Sequence, residues 1–210
     1  MDNIDINVRN ELCLYMAFYR SDKSVWHNYT LVYNELFKNR RYDNIRLFEL
    51  GLGTLNENII SHMTVGFQPL GSLFGWKRYF PKGMIYGADI DTSLVTSLDR
   101  IKTFYCDQRN IESIRNLWDN DELKEGFDII IDDGSHVYED TIIFFENSIN
   151  KLNSGGYYII EDFKKEIAEQ FIEKINNEWK LKYNDLQYYL YDIANNNNVI
   201  DNRLLVITKS

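Results

Sequence analysis

The stretch FDIIIDDGSH at residues 127–136 indicates the fold class of this chain. Its apolar half is continuous rather than alternating, which is typical of a strand buried on both faces of a parallel sheet. Four other short apolar runs also carry glycine or an acidic residue at or near their ends, and a strand is predicted for each: residues 45–50, 84–90, 102–107 and 156–162. The sequence therefore predicts a sheet of buried and mainly parallel strands.

Helical patterns lie between these runs, and a last pair of strands closes the chain. The apolar spacing predicts helices at residues 31–39, 92–100, 110–118, 138–152 and 164–180. Asp91 is placed to cap the second of them, and Gly155-Gly156 to end the fourth. Residues 186–191 and 203–208 have no helix between them, so a hairpin across the asparagine-rich loop 195–198 is predicted. This order predicts an α/β fold, a doubly wound and mostly parallel seven-stranded sheet that ends in an antiparallel hairpin.

The connection between the first two predicted strands is long. It extends from residue 54 to residue 83 and includes a candidate loop at residues 66–75. Long connections at the carboxyl ends of parallel strands are commonly functional. We therefore expect part of a binding site in this segment.

Length and composition fit one globular domain. The chain has 210 residues, of which 44% are hydrophobic and 26% charged. We expect a single domain over residues 1–210, with a helical N-terminal cap segment at 1–40 and a Rossmann-like core at 41–210. The 12 Phe, 15 Tyr and 4 Trp exceed what one core readily buries, so a homo-oligomer is expected.

Charge and targeting features narrow the range of partners. The net charge of −9 disfavours nucleic acid, because proteins that bind phosphate backbones carry basic surfaces. No apolar run approaches the roughly 18 residues of a membrane span, and the acidic N-terminus is unlike a signal peptide. Cys13 and Cys106 lack the spacing of a metal site and are expected to be reduced core residues. We therefore expect a cytoplasmic protein that contacts neither membrane nor nucleic acid.

Acidic and glycine residues at the predicted strand ends converge on the crevice where open α/β sheets bind ligands. The glycines of ELGLG, residues 49–53, let a ligand approach the backbone, although such a pair alone is more often a tight turn. Asp89 is placed to accept ribose hydroxyls, and Asp107 with Gln108 to contact an adenine edge; the alternative for each is a turn or cap role. Asn56 replaces the third glycine of the dinucleotide fingerprint, which weakens an NAD oxidoreductase interpretation. Together these residues favour an adenosine-containing ligand.

A second acidic group follows the last two parallel strands. Asp133, Glu161 and Asp162 offer carboxylates from neighbouring strand ends, and hard divalent cations prefer such ligands. His136 lies three residues after Asp133, close enough to serve the same site as a proton acceptor. The alternative is that Asp133-Gly134 is only a turn and His136 an exposed loop residue. The second acidic pair at the end of the next strand favours the metal site.

Taken together, these motifs resemble those of class I S-adenosylmethionine-dependent methyltransferases. Within that class the chain is similar to the metal-dependent macrolide-sugar O-methyltransferases and to the related cephalosporin hydroxylase-type proteins. The resemblance covers about residues 20–160, and its specific part is the combination of DDGSH with ED. The segments that carry it are residues 20–37, 48–53, 71–91, 106–108, 127–136 and 155–162.

The resemblance implies a metal centre and a set of cofactor contacts. Asp133, Glu161 and Asp162 would ligate Mg²⁺, and His136 would be the general base beside Asp133. The implied contacts to S-adenosylmethionine are Glu49, Gly51 and Gly53 at its methionine part, Asp89 at the ribose, Asp107 and Gln108 near adenine, and Ser72 and Asp132 at the same pocket.

Two further segments complete the resemblance. Lys23, His27 and Tyr29 lie in a segment that would fold over the site, and Trp76 lies near Ser72 where a loop would enter the cofactor pocket. There are also departures. Larger members carry a separate N-terminal domain for which 210 residues leave no room, and residues 54–70 are longer than the pattern requires. The acceptor and the subunit arrangement therefore stay open.

The expected function is Mg²⁺-dependent transfer of a methyl group from S-adenosylmethionine to a hydroxyl of a sugar or sugar-nucleotide. Two acceptor oxygens on the cation would lower the hydroxyl's pKa and orient it for in-line attack. One alternative is a methyltransferase of another small natural product, such as a catechol-like compound. Another is a nucleotide-binding relative without catalysis, which the intact acidic cluster disfavours. The acceptor and the hydroxyl that is methylated are not determined by these motifs.

Overall fold

A computed structural model of the chain describes residues 9–64, 66–196 and 198–210. The expected absence of a signal peptide concerns residues 1–8, and the predicted asparagine-rich loop includes Asn197; both lie outside the described residues. The strands are β1 (Arg46–Leu50), β2 (Met84–Asp89), β3 (Ser97–Leu98), β4 (Ile101–Tyr105), β5 (Phe127–Asp132), β6 (Leu152–Glu161), β7 (Leu186–Asp192) and β8 (Arg203–Lys209).

Over the described ranges these eight strands form one sheet in the order β3-β4-β2-β1-β5-β6-β8-β7. Strands β4, β2, β1, β5 and β6 run parallel, while β8 is antiparallel to β6 and β7 antiparallel to β8. The predicted doubly wound, mostly parallel sheet with a C-terminal hairpin is confirmed. The order reverses between β1 and β5, which places a ligand crevice at the carboxyl ends of these strands.

The strand count and the predicted helix at residues 92–100 were wrong. That segment contains only a short 3-10 turn, Thr92–Leu94, in which the Asp91 side chain accepts from Ser93 N–H. The chain then extends into β3, a strand that was not predicted and that raises the number of strands from seven to eight. β3 pairs antiparallel with β4. The hydroxyl of Thr103 in β4 accepts from Thr96 N–H at 2.7 Å and donates to the Leu94 carbonyl at 2.6 Å. These contacts satisfy backbone groups that a helix would otherwise pair internally.

Helices cover both faces of the sheet. Two predicted boundaries change: the helix expected at 138–152 ends earlier, so that Gly155-Gly156 lies within β6, and a helix begins inside the predicted loop 66–75. None of the described helices is long and apolar enough to cross a membrane. The helices are α1 (Glu11–Phe18), α2 (Tyr29–Phe37), α3 (Gly71–Tyr79), α4 (Ile111–Trp118), α5 (Tyr138–Ser148) and α6 (Lys165–Lys174), which continues through a π-helical turn (Ile175–Trp179) into α7 (Lys180–Lys182).

Alternate side chains of the buried strands enter two separate cores. Phe48 of β1 packs with Trp118 and Phe144 on the face covered by α4, α5 and α6. Its neighbour Leu47 lies in the other core with Trp76, under α1, α2 and α3. Because both faces are covered, the strands are apolar throughout. Polar side chains therefore collect at the strand ends, where the candidate site lies.

Candidate functional site

A cavity of about 240 Å³ opens at the carboxyl ends of the parallel strands. It is lined by every residue predicted to bind the cofactor, the cation or the proton except Asp132 and Glu161, which are buried and do not line it. Residues of the long connection also line it, among them Asn58, Ser61 and Met63. The structure thus brings these predicted residues together, and it adds the segment 58–63, to which the sequence assigned no site residue.

The glycine loop after β1 is fixed by contacts that only glycine permits. Gly51 has a φ of +85°, and a Cβ atom there would lie 1.8 Å from the backbone oxygen of Asp133. The N–H of Gly51 donates to the Ala88 carbonyl, and the N–H of Asp133 donates to the Leu50 carbonyl, each at 2.9 Å. This loop therefore joins the ends of β1, β2 and β5 and leaves bare backbone facing the cavity.

Replacing Gly51 by alanine is expected to destabilise the fold far more than replacing Gly155. Both glycines have positive φ, so each alanine carries about 1–2 kcal/mol of left-handed strain. Only at Gly51 does the added methyl meet backbone, whereas nothing lies within 4 Å of a Cβ at Gly155. The overlap should add about 1–3 kcal/mol or more. Urea unfolding of both variants measures the difference, and equal losses would contradict the close approach of the two loops.

Asp89 braces the glycine loop from the neighbouring strand. Its carboxylate accepts from Leu52 N–H at 2.7 Å and from Asp91 N–H at 2.8 Å. Burial raises the pKa of Asp89, against the lowering effect of these hydrogen bonds. The side chain is buried at the cavity wall, so it holds the loop and at the same time presents carboxylate to the predicted ribose position.

The two residues predicted to lie near adenine, Asp107 and Gln108, have different partners. Gln108 donates from Nε2 to both carboxylate oxygens of Asp132, at 2.8 and 2.9 Å, and its Oε1 accepts from Ser135 N–H at 2.9 Å. Burial raises the pKa of Asp132 to about 7. Asp107 instead forms an ion pair with Arg109, whose Nε lies 2.9 Å from its Oδ1. Gln108 therefore ties the end of β4 to β5, with Asp132 behind the wall.

Glu49 anchors α3 beneath the cavity. Its carboxylate accepts from Ser72 Oγ at 2.5 Å and from Trp76 Nε1 at 2.6 Å, two residues one turn apart on α3. The ammonium of Lys23 lies 3.6 Å from the same carboxylate. Ser72 lines the cavity as expected, whereas Trp76 lies in the core behind it, and both side chains hold Glu49.

Asp133, His136 and Asp162 meet just after β5 and β6, and all three line the cavity. One ligand atom from each lies within 4.8 Å of the other two. His136 Nε2 is 3.1 Å from Asp133 Oδ1 and 3.8 Å from Asp162 Oδ2. Both His136 and Asp162 adopt left-handed backbone, with φ of 58° and 57°, a strain that proteins commonly retain at functional sites. Two carboxylates and an imidazole in this arrangement suit a divalent cation.

The fourth predicted member, Glu161, is held away from this group. Its two oxygens accept from Lys23 Nζ, at 2.7 Å, and from the hydroxyl of Tyr33. The same ammonium lies 2.6 Å from Asp133 Oδ2. Glu161 therefore reaches the cluster through Lys23 in this arrangement, and the group of close ligand atoms contains His136 in its place.

The ionisation of the cluster follows from this proximity. Burial raises the pKa of Asp162 to about 6. Burial also favours a higher pKa for Asp133, but Lys23 and His136 outweigh it and hold this pKa below its ordinary value. For His136, desolvation is outweighed by the Asp133 hydrogen bond and the charges of Asp162 and Asp132, which raise its pKa to about 10. His136 and Lys23 are therefore the cations that balance these carboxylates.

Residues of the N-terminal segment complete the site. His27 Nδ1 lies 3.3 Å from Asp162 Oδ1, and the Tyr29 hydroxyl donates to the same oxygen. Tyr33 was not identified from the sequence, because the predicted helix began at residue 31. The actual start of α2 at Tyr29 places Tyr29 and Tyr33 on one helical face. Their spacing of four residues was the available signal.

Known proteins resemble this chain in sequence and in structure. No protein-family model matches the chain. An 8-demethyl-8-alpha-L-rhamnosyl tetracenomycin-C 2'-O-methyltransferase from Streptomyces olivaceus is 34% identical over 144 residues, which are 69% of this chain and 35% of that protein. A mycinamicin VI 2''-O-methyltransferase from Micromonospora griseorubida is 38% identical over 138 residues, 65% of this chain and 31% of that protein. The chain thus spans about a third of the length of these relatives.

A solved structure extends the match to nearly the whole chain. It is a methyltransferase from the mycinamycin biosynthetic pathway, in complex with Mg, SAH and mycinamycin VI. It superimposes with a TM-score of 0.71 at 25% identity, covering 96% of this chain and 55% of that one. The similarity therefore includes the C-terminal hairpin as well as the parallel strands.

Proposed function

Since this chain has a class I S-adenosylmethionine-dependent methyltransferase fold and is related to the macrolide-sugar O-methyltransferases, we propose that it methylates a hydroxyl of a sugar or sugar-nucleotide. The observation that carries this proposal is that Asp133, His136 and Asp162 meet in the same cavity that the glycine loop and Asp89 line. This arrangement puts a cation-binding group beside a pocket for an adenosine-containing cofactor.

The donor set fits both groups. Gly51, Gly53 and Asp89 would hold S-adenosylmethionine, and Asp133 with Asp162 would hold Mg²⁺ through hard oxygen ligands. When bound, the cofactor supplies an electrophilic methyl group, and the cation lowers the pKa of an acceptor hydroxyl.

Side chains of the protein accept the proton and set the charge of the cavity wall. His136 takes the hydroxyl proton at Nε2, the nitrogen that faces Asp133 and Asp162. It can do so only when the charges of these carboxylates are neutralised, because they otherwise keep the imidazole protonated. The acidic wall also favours a sulfonium over a neutral ligand. Methyl transfer from sulfur to oxygen and proton transfer to His136 balance the reaction.

Assembly and location belong to the same proposal. Exposed apolar side chains, among them Phe18, Leu181 and Val199, support a homo-oligomer. The buried free thiols of Cys13 and Cys106 fit a reducing cytoplasm. The negative net charge argues against a nucleic-acid partner.

The direct test is methyl transfer to a panel of acceptors. The protein is incubated with S-adenosylmethionine, Mg²⁺ and free sugars, glycosides, nucleotide-linked sugars or a catechol, and mass spectrometry detects the methylated product. A methylated sugar supports the proposal, while a methylated catechol alone favours the other small-molecule reading. Binding of S-adenosylhomocysteine without transfer to any acceptor favours the non-catalytic alternative.

Asp89→Ala is expected to weaken binding of S-adenosylhomocysteine by about 1–3 kcal/mol, the usual cost of losing hydrogen bonds to a charged group. The variant loses the proposed ribose acceptor and the brace on the Leu52 N–H. Calorimetry measures the change, and Asp121→Ala, an exposed carboxylate, is the matched control. Unchanged affinity in Asp89→Ala, or tight NADH binding by the unaltered protein, would contradict the assigned ligand.

A further inference from the structure

One short N-terminal segment donates hydrogen bonds to three acidic residues at the ends of β5 and β6. Lys23 bridges Asp133 and Glu161, at 2.6 and 2.7 Å. The hydroxyl of Tyr33 donates to the remaining oxygen of Glu161, and the hydroxyl of Tyr29 donates to Asp162. Tyr33 is 128 residues from Glu161 in the sequence, and Tyr29 is 133 residues from Asp162. The segment therefore contacts the site through specific donors rather than by covering it alone.

The two tyrosines match the two carboxylates in spacing. Tyr29 and Tyr33 are one turn apart on α2, so they point to the same side. Glu161 ends β6, and consecutive residues of a strand would point to opposite faces. Asp162 lies just beyond the strand with left-handed backbone, which breaks this alternation. Both carboxylates can therefore face one helix.

Both phenols act as donors in these hydrogen bonds. A phenol hydroxyl fixes a carboxylate oxygen without placing a positive charge beside it, unlike the ammonium of Lys23. The carboxylate therefore loses rotational freedom before a cation arrives.

We infer that Tyr29 and Tyr33 are positioning residues for a divalent-cation site: Tyr29 holds the carboxylate of Asp162 within the group of close ligand atoms, and Tyr33 holds Glu161 beside it. This inference rests on the proposed metal-dependent function. It assigns α2 a task beyond packing, and it gives Glu161 an indirect place, since that carboxylate contacts the group through Lys23.

The test uses Mn²⁺ alone as the probe, followed by electron paramagnetic resonance of the free ion. Tyr29→Phe should raise the Mn²⁺ dissociation constant by about 10–100-fold, the range for losing an outer partner of a metal ligand. Tyr33→Phe should raise it by a smaller factor, because Glu161 contacts the group through Lys23. The affinity for S-adenosylhomocysteine should be unchanged. Tyr79→Phe is the matched control, since that buried tyrosine donates to Asn34 at 3.1 Å, away from the carboxylates.

A double-mutant cycle separates positioning from general packing. If Tyr29 acts through Asp162, adding Tyr29→Phe to Asp162→Asn should cause little further loss of Mn²⁺ affinity. Independent losses that multiply, or wild-type Mn²⁺ affinity in a folded Tyr→Phe variant, would overturn the role of that tyrosine. Thermal unfolding checks each variant, and either tyrosine is tested by itself if the other variant does not fold. Absence of Mn²⁺ binding by the unaltered protein would instead reject the metal-dependent function, and the inference with it.

Discussion

Removing divalent cations with EDTA should abolish methyl transfer while S-adenosylhomocysteine stays bound. The reason is that the cation group and the glycine loop line one cavity but consist of different side chains. Asp133 and Asp162 carry the cation group, whereas Gly51 and Asp89 belong to other strand ends. Without the cation, the acceptor hydroxyl keeps a high pKa and the imidazole of His136 keeps its proton.

The measurement compares turnover and calorimetric binding with and without chelator. Asp133→Asn is the matching variant, because the amide keeps the shape of the carboxylate but removes its charge. It should lower Mg²⁺ affinity without unfolding the protein, and excess Mg²⁺ should restore turnover in part. Full-rate transfer in EDTA would show that the acidic cluster is structural.

His136→Ala should lower kcat by about 10²–10⁴-fold, the usual contribution of a positioned general base. Binding of Mn²⁺ and of S-adenosylhomocysteine should persist, because Asp133, Asp162 and the glycine loop are unaltered. The matched control is His62→Ala, an exposed histidine whose Nδ1 lies 3.0 Å from the Ile59 carbonyl oxygen. Steady-state kinetics with an accepted sugar measures both variants. Full activity of His136→Ala would leave the cation site in place and assign the proton transfer to another group or to water.

The site contains more buried negative charge than a fold ordinarily tolerates. Lys23 offsets part of it, since its fully buried ammonium lies within 4 Å of Glu49, Asp133 and Glu161. Buried charges are costly unless they are paired and hydrogen-bonded. The phenols of Tyr29 and Tyr33 satisfy lone pairs that Lys23 does not reach. A cation-binding site is one reason for a chain to retain such a cluster in place of an apolar core.

The sequence by itself determined the parallel core of the sheet, its winding and the positions of its chemistry. Short, continuous apolar runs that end in acidic or glycine residues are typical of strands buried on both faces, so they predicted the parallel core and its two covering layers. Parallel strands end at one edge of the sheet, so the order of the chain also placed Asp89, Asp133 and Asp162 together. These conclusions need only periodicity and topology, which are local or nearly local properties.

Tertiary structure decided which groups each side chain meets. At residues 92–100, contacts with Thr103 in the next strand replaced a helix by a turn and β3. At the acidic ends, the left-handed backbone of Asp162 and the start of α2 at Tyr29 set the partners of Glu161 and Asp162. The physical reason is that rotamers and hydrogen bonds at strand ends depend on the segments packed against them. Those segments are far away in sequence, so no local pattern specifies the pairing.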